Sequence, residues 1–90
     1  MIRYSITVNG RVQGVGFRYF TQLIALRLNL TGWCKNLIDG NVEIEVQGLD
    51  ENIRSFIAAI NEGNNFSKVH GIDLNNLPVI NNEKKFTVKY

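Results

Sequence analysis

The feature that most limits what this chain can become is a change of hydrophobic period across a glycine loop. Residues 2 to 9 place Ile2, Tyr4, Ile6 and Val8 on one side and Arg3, Ser5 and Thr7 on the other, the two-residue alternation of a half-buried strand. From Phe17 to about Leu30 the apolar residues fall at helical spacing, with Phe17, Phe20, Ile24 and Leu28 on one face and Leu23 and Leu30 beside it. Between the two patterns lie Gly10, Gly14 and Gly16, with Arg11 and Arg18 and no acid. A strand followed directly by an amphipathic helix has one economical arrangement, in which the helix folds back over the sheet and buries its stripe there.

The rest of the chain continues in short elements. Thr31 to Leu37 reads as a second strand, and Asp39-Gly40 is a hairpin signal. Val42, Ile44 and Val46 alternate with Glu43, Glu45 and Gln47, a third strand with one wet face. Asp50 is placed to cap a second helix with Ile53, Phe56, Ile57 and Ile60 as its buried stripe, and Gly63 to stop it. Val69 to Leu74 reads as a fourth strand, residues 75 to 82 with Pro78 as a loop, and Phe86, Val88 and Tyr90 as one side of a last strand. The order predicts an α+β, ferredoxin-like split βαβ sandwich, an antiparallel sheet with both helices on one face. Ninety residues make a single domain, 1–90, and 44% hydrophobic with 20% charged residues is the composition of a soluble globule. No apolar run approaches the roughly 20 residues that cross a bilayer. The alternation starts at Met1-Ile2-Arg3-Tyr4, with no signal peptide in view, and the single Cys34 has no partner for a disulfide. These point to a cytoplasmic protein.

In this topology the first two strands are parallel and end at the same edge of the sheet, about 10 Å apart, twice the strand spacing, with the third strand between them. The glycine loop leaves the first at that edge, Arg18 sits in the following helical turn, and Asn36 closes the second. Early helix N–H groups lack intrahelical partners, a glycine-rich turn converges its amides, and a guanidinium fork matches two phosphate oxygens. Main-chain N–H groups of Val15, Gly16, Phe17 and Arg18 therefore suit a phosphate. The same glycines also serve a plain turn, the same arginine a solvated helix start, and Asn36 a backbone partner near the hairpin; spacing alone does not separate these readings.

The motifs resemble those of the acylphosphatase family. Gly10-Arg11-Val12-Gln13-Gly14-Val15-Gly16-Phe17-Arg18 is similar to its phosphate loop and Thr31-Gly32-Trp33-Cys34-Lys35-Asn36 to its second block. Asp39-Gly40-Asn41-Val42-Glu43-Ile44, Gln47-Gly48 and Phe86-Thr87-Val88-Lys89-Tyr90 continue the likeness over almost the whole chain. The resemblance implies hydrolysis of acyl phosphates to carboxylate and phosphate. It gives Arg18 the phosphoryl group, Asn36 the attacking water, and the amides of Val12, Gln13, Gly14, Val15, Gly16, Phe17 and Arg18 the phosphate oxygens. The substrate it implies is a small molecule; no cofactor or metal is expected, the single histidine offering no ligand cluster, and the chain is expected to be a monomer. The chain departs from the family's pattern at Cys34, Lys35 and Asn64-Asn65, the last replacing a proline-containing turn.

Other chemistries fit less well. A third glycine for a dinucleotide fingerprint is missing, as is a P-loop lysine, and His70 is the only histidine. Cys34 has Gly40 rather than arginine six residues on, unlike a cysteine-phosphatase loop, and reads as a buried, inert strand residue. Trp33 and Tyr19 read as packing residues, and Glu43 and Glu45 as a solvated outer face that would repel nucleic acid. Net charge is only +2, its lysines scattered, so neither nucleic acid nor membrane is an expected partner. An anion-holding regulatory module remains the rival from another class.

Overall fold

The computed structural model describes residues 1–90. In chain order its elements are β1 (Ile2–Arg11), α1 (Phe17–Arg27), β2 (Thr31–Asn36), β3 (Val42–Gly48), α2 (Asp50–Glu62), β4 (Lys68–Leu77) and β5 (Phe86–Lys89). The strands form one sheet in the order β4-β1-β3-β2-β5. β1 pairs antiparallel with β3 and β4, and β3 antiparallel with β2. The α+β, ferredoxin-like sandwich is therefore present, with β3 between β1 and β2. β5 adds a parallel pairing with β2, Gly32 opposite Phe86 and Cys34 opposite Val88, which makes the sheet mixed. The reason is the route of residues 78–85: they leave β4 at one edge, cross the end of the sheet, and enter β5 at the other edge alongside β2.

The core lies between helices and sheet. Ile6, Val8, Cys34, Val42, Ile44 and Val46 from the strands meet Ile53, Phe56 and Ile60 of α2, all essentially without solvent exposure. The α2 stripe matches the sequence pattern. On α1 the fully buried line is Phe17, Thr21 and Ala25, while Phe20, Ile24 and Leu28 pack along its margin. A threonine can sit there because its hydroxyl donates to the Phe17 carbonyl at 2.9 Å, and its small bulk, with Ala25, brings the helix close to the sheet.

Three boundaries differ from the sequence pattern. α1 ends at Arg27, not Leu30, because Asn29 takes a left-handed conformation (φ 56°). Asn29 N–H then bonds the Leu26 carbonyl and Leu30 N–H the Ala25 carbonyl, a Schellman stop that turns Leu30 into the core. At α2, Leu49 is the cap residue and Asp50 the first helical one; Asp50 makes no capping bond, and its charge instead meets Arg54 at 3.2 Å. β4 runs on to Leu77 because Leu74, Asn75, Asn76 and Leu77 find partners in Ile6, Ser5, Tyr4 and Arg3; pairing overrides the weak strand preference of asparagine.

The outer face holds the main surprise. Arg3 is 1% exposed. Its guanidinium donates to Glu45 at 2.9 and 3.0 Å, to both oxygens of Glu83 at 2.8 and 3.3 Å, and to Gln47 at 3.2 Å. Gln47 in turn exchanges hydrogen bonds with the main chain of Ile80, at 2.8 and 2.9 Å. Residues 80–83 thus strap the helix-free face at the end where β1 begins, and Glu45 is an ion-pair partner rather than a freely solvated charge.

Candidate active site

β1 delivers the glycine loop to the other end of the sheet. Gly14 and Gly16 have φ of 71° and 74°, left-handed values that a side chain resists, and Gly16 caps α1. Val12 and Phe17 are buried, at 1% each, and anchor the loop at both ends. The first intrahelical bond runs from Phe20 N–H to the Gly16 carbonyl at 3.0 Å, so the amides of the preceding turn have no helical acceptor.

These residues line a cavity of about 500 Å³ together with Arg18, Tyr19, Gln22, Asn36, Thr87, Val88 and Tyr90. Of the phosphate-loop residues expected from the sequence, Val12, Gly14, Gly16, Phe17 and Arg18 face this cavity. Gln13 and Val15 are not among its lining residues. Gln13 turns its carboxamide to the β2–β3 hairpin, donating to the carbonyls of Leu37 and Asn41 at 2.7 and 2.8 Å, and so ties the loop to the hairpin that follows Asn36. Val15 gives its carbonyl to Nδ2 of Asn64 at 2.9 Å.

Arg18 and Asn36 line the same cavity, one from the first turn of α1 and one from the last position of β2. The Arg18 guanidinium lies over the Tyr90 ring at 4.7 Å and donates to the Lys89 carbonyl at 3.0 Å. The remaining N–H groups of the fork are available to an anion. Asn36 Oδ1 is buried and has no hydrogen-bond partner, while the residue as a whole lines the cavity. A second, shallower hollow of about 480 Å³ adjoins it, sharing Asn36 and Tyr90 and bordered by Ile38 and Asp39.

Cys34 lies beneath the site with Sγ 3.8 Å from the Arg18 carbonyl. Burial pushes its thiol up to about 12, against the opposing pull of the Arg18 charge, so it stays protonated and inert, as the sequence pattern implied. Tyr19 departs from expectation: it is 65% exposed at the cavity mouth rather than packed inside. Lys89, Tyr90 and Asn64 were the contributors that spacing did not single out. The only signal for Asn64 was that Asn64-Asn65 departs from the pattern the family resemblance implies.

A family model described as acylphosphatase matches residues 4–88. An acylphosphatase of Clostridium beijerinckii is 68% identical over 90 residues, covering the whole of both chains. The crystal structure of acylphosphatase from Bacillus subtilis matches with a TM-score of 0.95, 43% identity and full coverage of both chains. An acylphosphatase structure from Coxiella burnetii matches with a TM-score of 0.91 at 33% identity, covering 98% of this chain and 92% of that one.

Proposed function

We propose, for a chain that belongs to the acylphosphatase family and hydrolyses acyl phosphates, that the cavity between the glycine loop and Asn36 is where the reaction takes place. The phosphoryl oxygens accept from the main-chain N–H groups of residues 12–18 and from the Arg18 fork. The Asn36 carboxamide holds a water in line with the bond to be broken. Water oxygen bonds to phosphorus, the bond from phosphorus to the acyl oxygen breaks with its electron pair, and the carboxylate leaves. The water's proton passes to a phosphoryl oxygen of the substrate itself, because neither arginine nor asparagine accepts a proton near neutral pH. A carboxylate is a stable leaving group, and a loose phosphoryl transition state asks for positioning and charge stabilisation more than for a base.

The observation that carries this reading is that Arg18, from the first turn of α1, and Asn36, from the end of β2, line one cavity with the glycine loop. In this scheme one chain of 90 residues works as a monomer and a single domain. No metal ion or cofactor is needed in this scheme. No helix is long and apolar enough to cross a membrane, and the lone buried cysteine fits a reducing, cytoplasmic setting.

The test is an assay of purified protein on benzoyl phosphate and on a phosphate monoester, each with and without chelator. Cleavage of the acyl phosphate alone, unchanged by chelator, is the expected result. Chelator-sensitive turnover, or comparable cleavage of the monoester, refutes the scheme.

A further inference from the structure

We propose that Asn64 is a positioning residue of the phosphate loop, holding the Val15 carbonyl so that the Gly16 N–H faces the cavity. The inference rests on the reading above, in which loop amides bind the phosphoryl group. A peptide unit is planar, and in its trans form the carbonyl of one residue and the N–H of the next point in opposite directions. The peptide joining Val15 to Gly16 is trans, as all are here. Its carbonyl accepts from Asn64 Nδ2 at 2.9 Å. Gly16 lines the cavity and Val15 does not. Fixing the carbonyl therefore aims the amide.

The need for such a brace is local. Gly14 and Gly16 give the loop backbone freedom that an ordered amide array cannot have. The other side-chain hold on the loop is Gln13, which ties the side nearer β1 to the hairpin. Asn64 serves the side nearer α1, and it is itself well held. It follows Gly63, the cap of α2, and its N–H donates to Ser67 Oγ at 3.0 Å while its carbonyl accepts from Ser67 N–H at 3.3 Å. Pairing of Arg11 with Lys68 places this turn beside the start of the loop. The side chain matters as a donor: a carboxylate of the same shape has nothing to give the Val15 carbonyl.

The experiment measures inhibition by inorganic phosphate, together with KM and kcat for benzoyl phosphate and urea stability, for the unsubstituted chain, Asn64→Ala, Asn64→Asp and the neighbouring control Asn65→Ala. Loss of one hydrogen bond's worth of preorganisation weakens phosphate inhibition by about three- to tenfold. KM rises by a similar factor and kcat is nearly kept, the pattern of an interaction made equally in ground and transition states. Asn64→Asp is at least as impaired as Asn64→Ala, and Asn65→Ala is unaffected. If Asn64→Ala is too unstable to measure, the isosteric Asn64→Asp carries the test. Unchanged phosphate inhibition in a folded Asn64 variant overturns the inference while leaving the cradle standing. No competition by phosphate in the unsubstituted chain overturns the cradle, and the inference with it.

Discussion

In the proposed scheme Arg18 meets the phosphoryl group already ordered. A free arginine loses about 2 kcal/mol of rotamer entropy when fixed; here the Tyr90 ring and the Lys89 carbonyl hold the guanidinium as part of folding, so that loss is not charged to substrate binding. Arg18→Lys keeps the charge but loses the planar fork and its stacking, and turnover should fall at least about a hundredfold, with phosphate inhibition weakened in parallel. Near-normal kinetics from Arg18→Lys would remove the fork from the account. Asn36→Ala should behave differently, losing about a hundredfold in kcat while phosphate still competes as before; equal losses in both would make Asn36 a binding residue. At this scale much of the site was legible. The glycines and Arg18 suit an anion by their chemistry without excluding a plain turn and a solvated helix start, and it was the likeness to a family that singled out Asn36. Asn64 and Arg3 were not legible, for the same reason. Each acts through a side chain that reaches a partner far along the chain, Val15 at 49 residues from Asn64 and Glu83 at 80 from Arg3, and neither hydrophobic period nor turn chemistry records such a contact.

Among the elements, the strap at residues 80–83 is the one that changes the expected electrostatics. Alternation put Arg3 on the side without helices, which is correct, but exposure depends on what crosses that side later. Burial alone would raise the Glu83 carboxyl, but hydrogen bonds from Arg3 and Thr31 and the charges of Arg3 and Lys89 together more than offset this and hold it below its ordinary value. Burial alone would lower the Arg3 value; the two carboxylates raise it instead. The Glu83 contribution to stability is therefore complete above its unfolded value, near 4.5, and is lost as pH falls through the lower folded value. Urea stability should drop over that acid range, and Glu83→Gln should flatten the drop while costing about 1–2 kcal/mol at neutral pH. An unchanged acid profile in Glu83→Gln would show that the strap is not held by this pair. The helix boundaries carry a related lesson. The apolar pattern of α1 continues through Leu28 and Leu30, but the backbone of Asn29 ends the helix first, so Leu30 reaches the core from a turn.

For the whole molecule, the site couples distant parts of the chain: a loop from β1, the first turn of α1, the end of β2 and the end of β5. A ligand that needs all of them binds only the folded chain. Inorganic phosphate at about a hundred times its dissociation constant should then stabilise by about 2.7 kcal/mol, which for a domain of this size raises the melting temperature by about 10 °C or more. Arg18→Ala should abolish that shift; the same shift in the variant would mean that phosphate binds elsewhere. The architecture itself was readable from the order of periods, whereas the parallel seat of β5 was not, since the direction of a last strand depends on where the preceding loop crosses. That seat brings the main-chain oxygen of Lys89, next to the Tyr90 ring, to Arg18. Mutation at residue 89 can exchange every atom beyond the backbone and leave that acceptor in place. An inserted or deleted residue within β5 would slide the register and carry the oxygen away, so this spot is more sensitive to a change of length than to a change of letter.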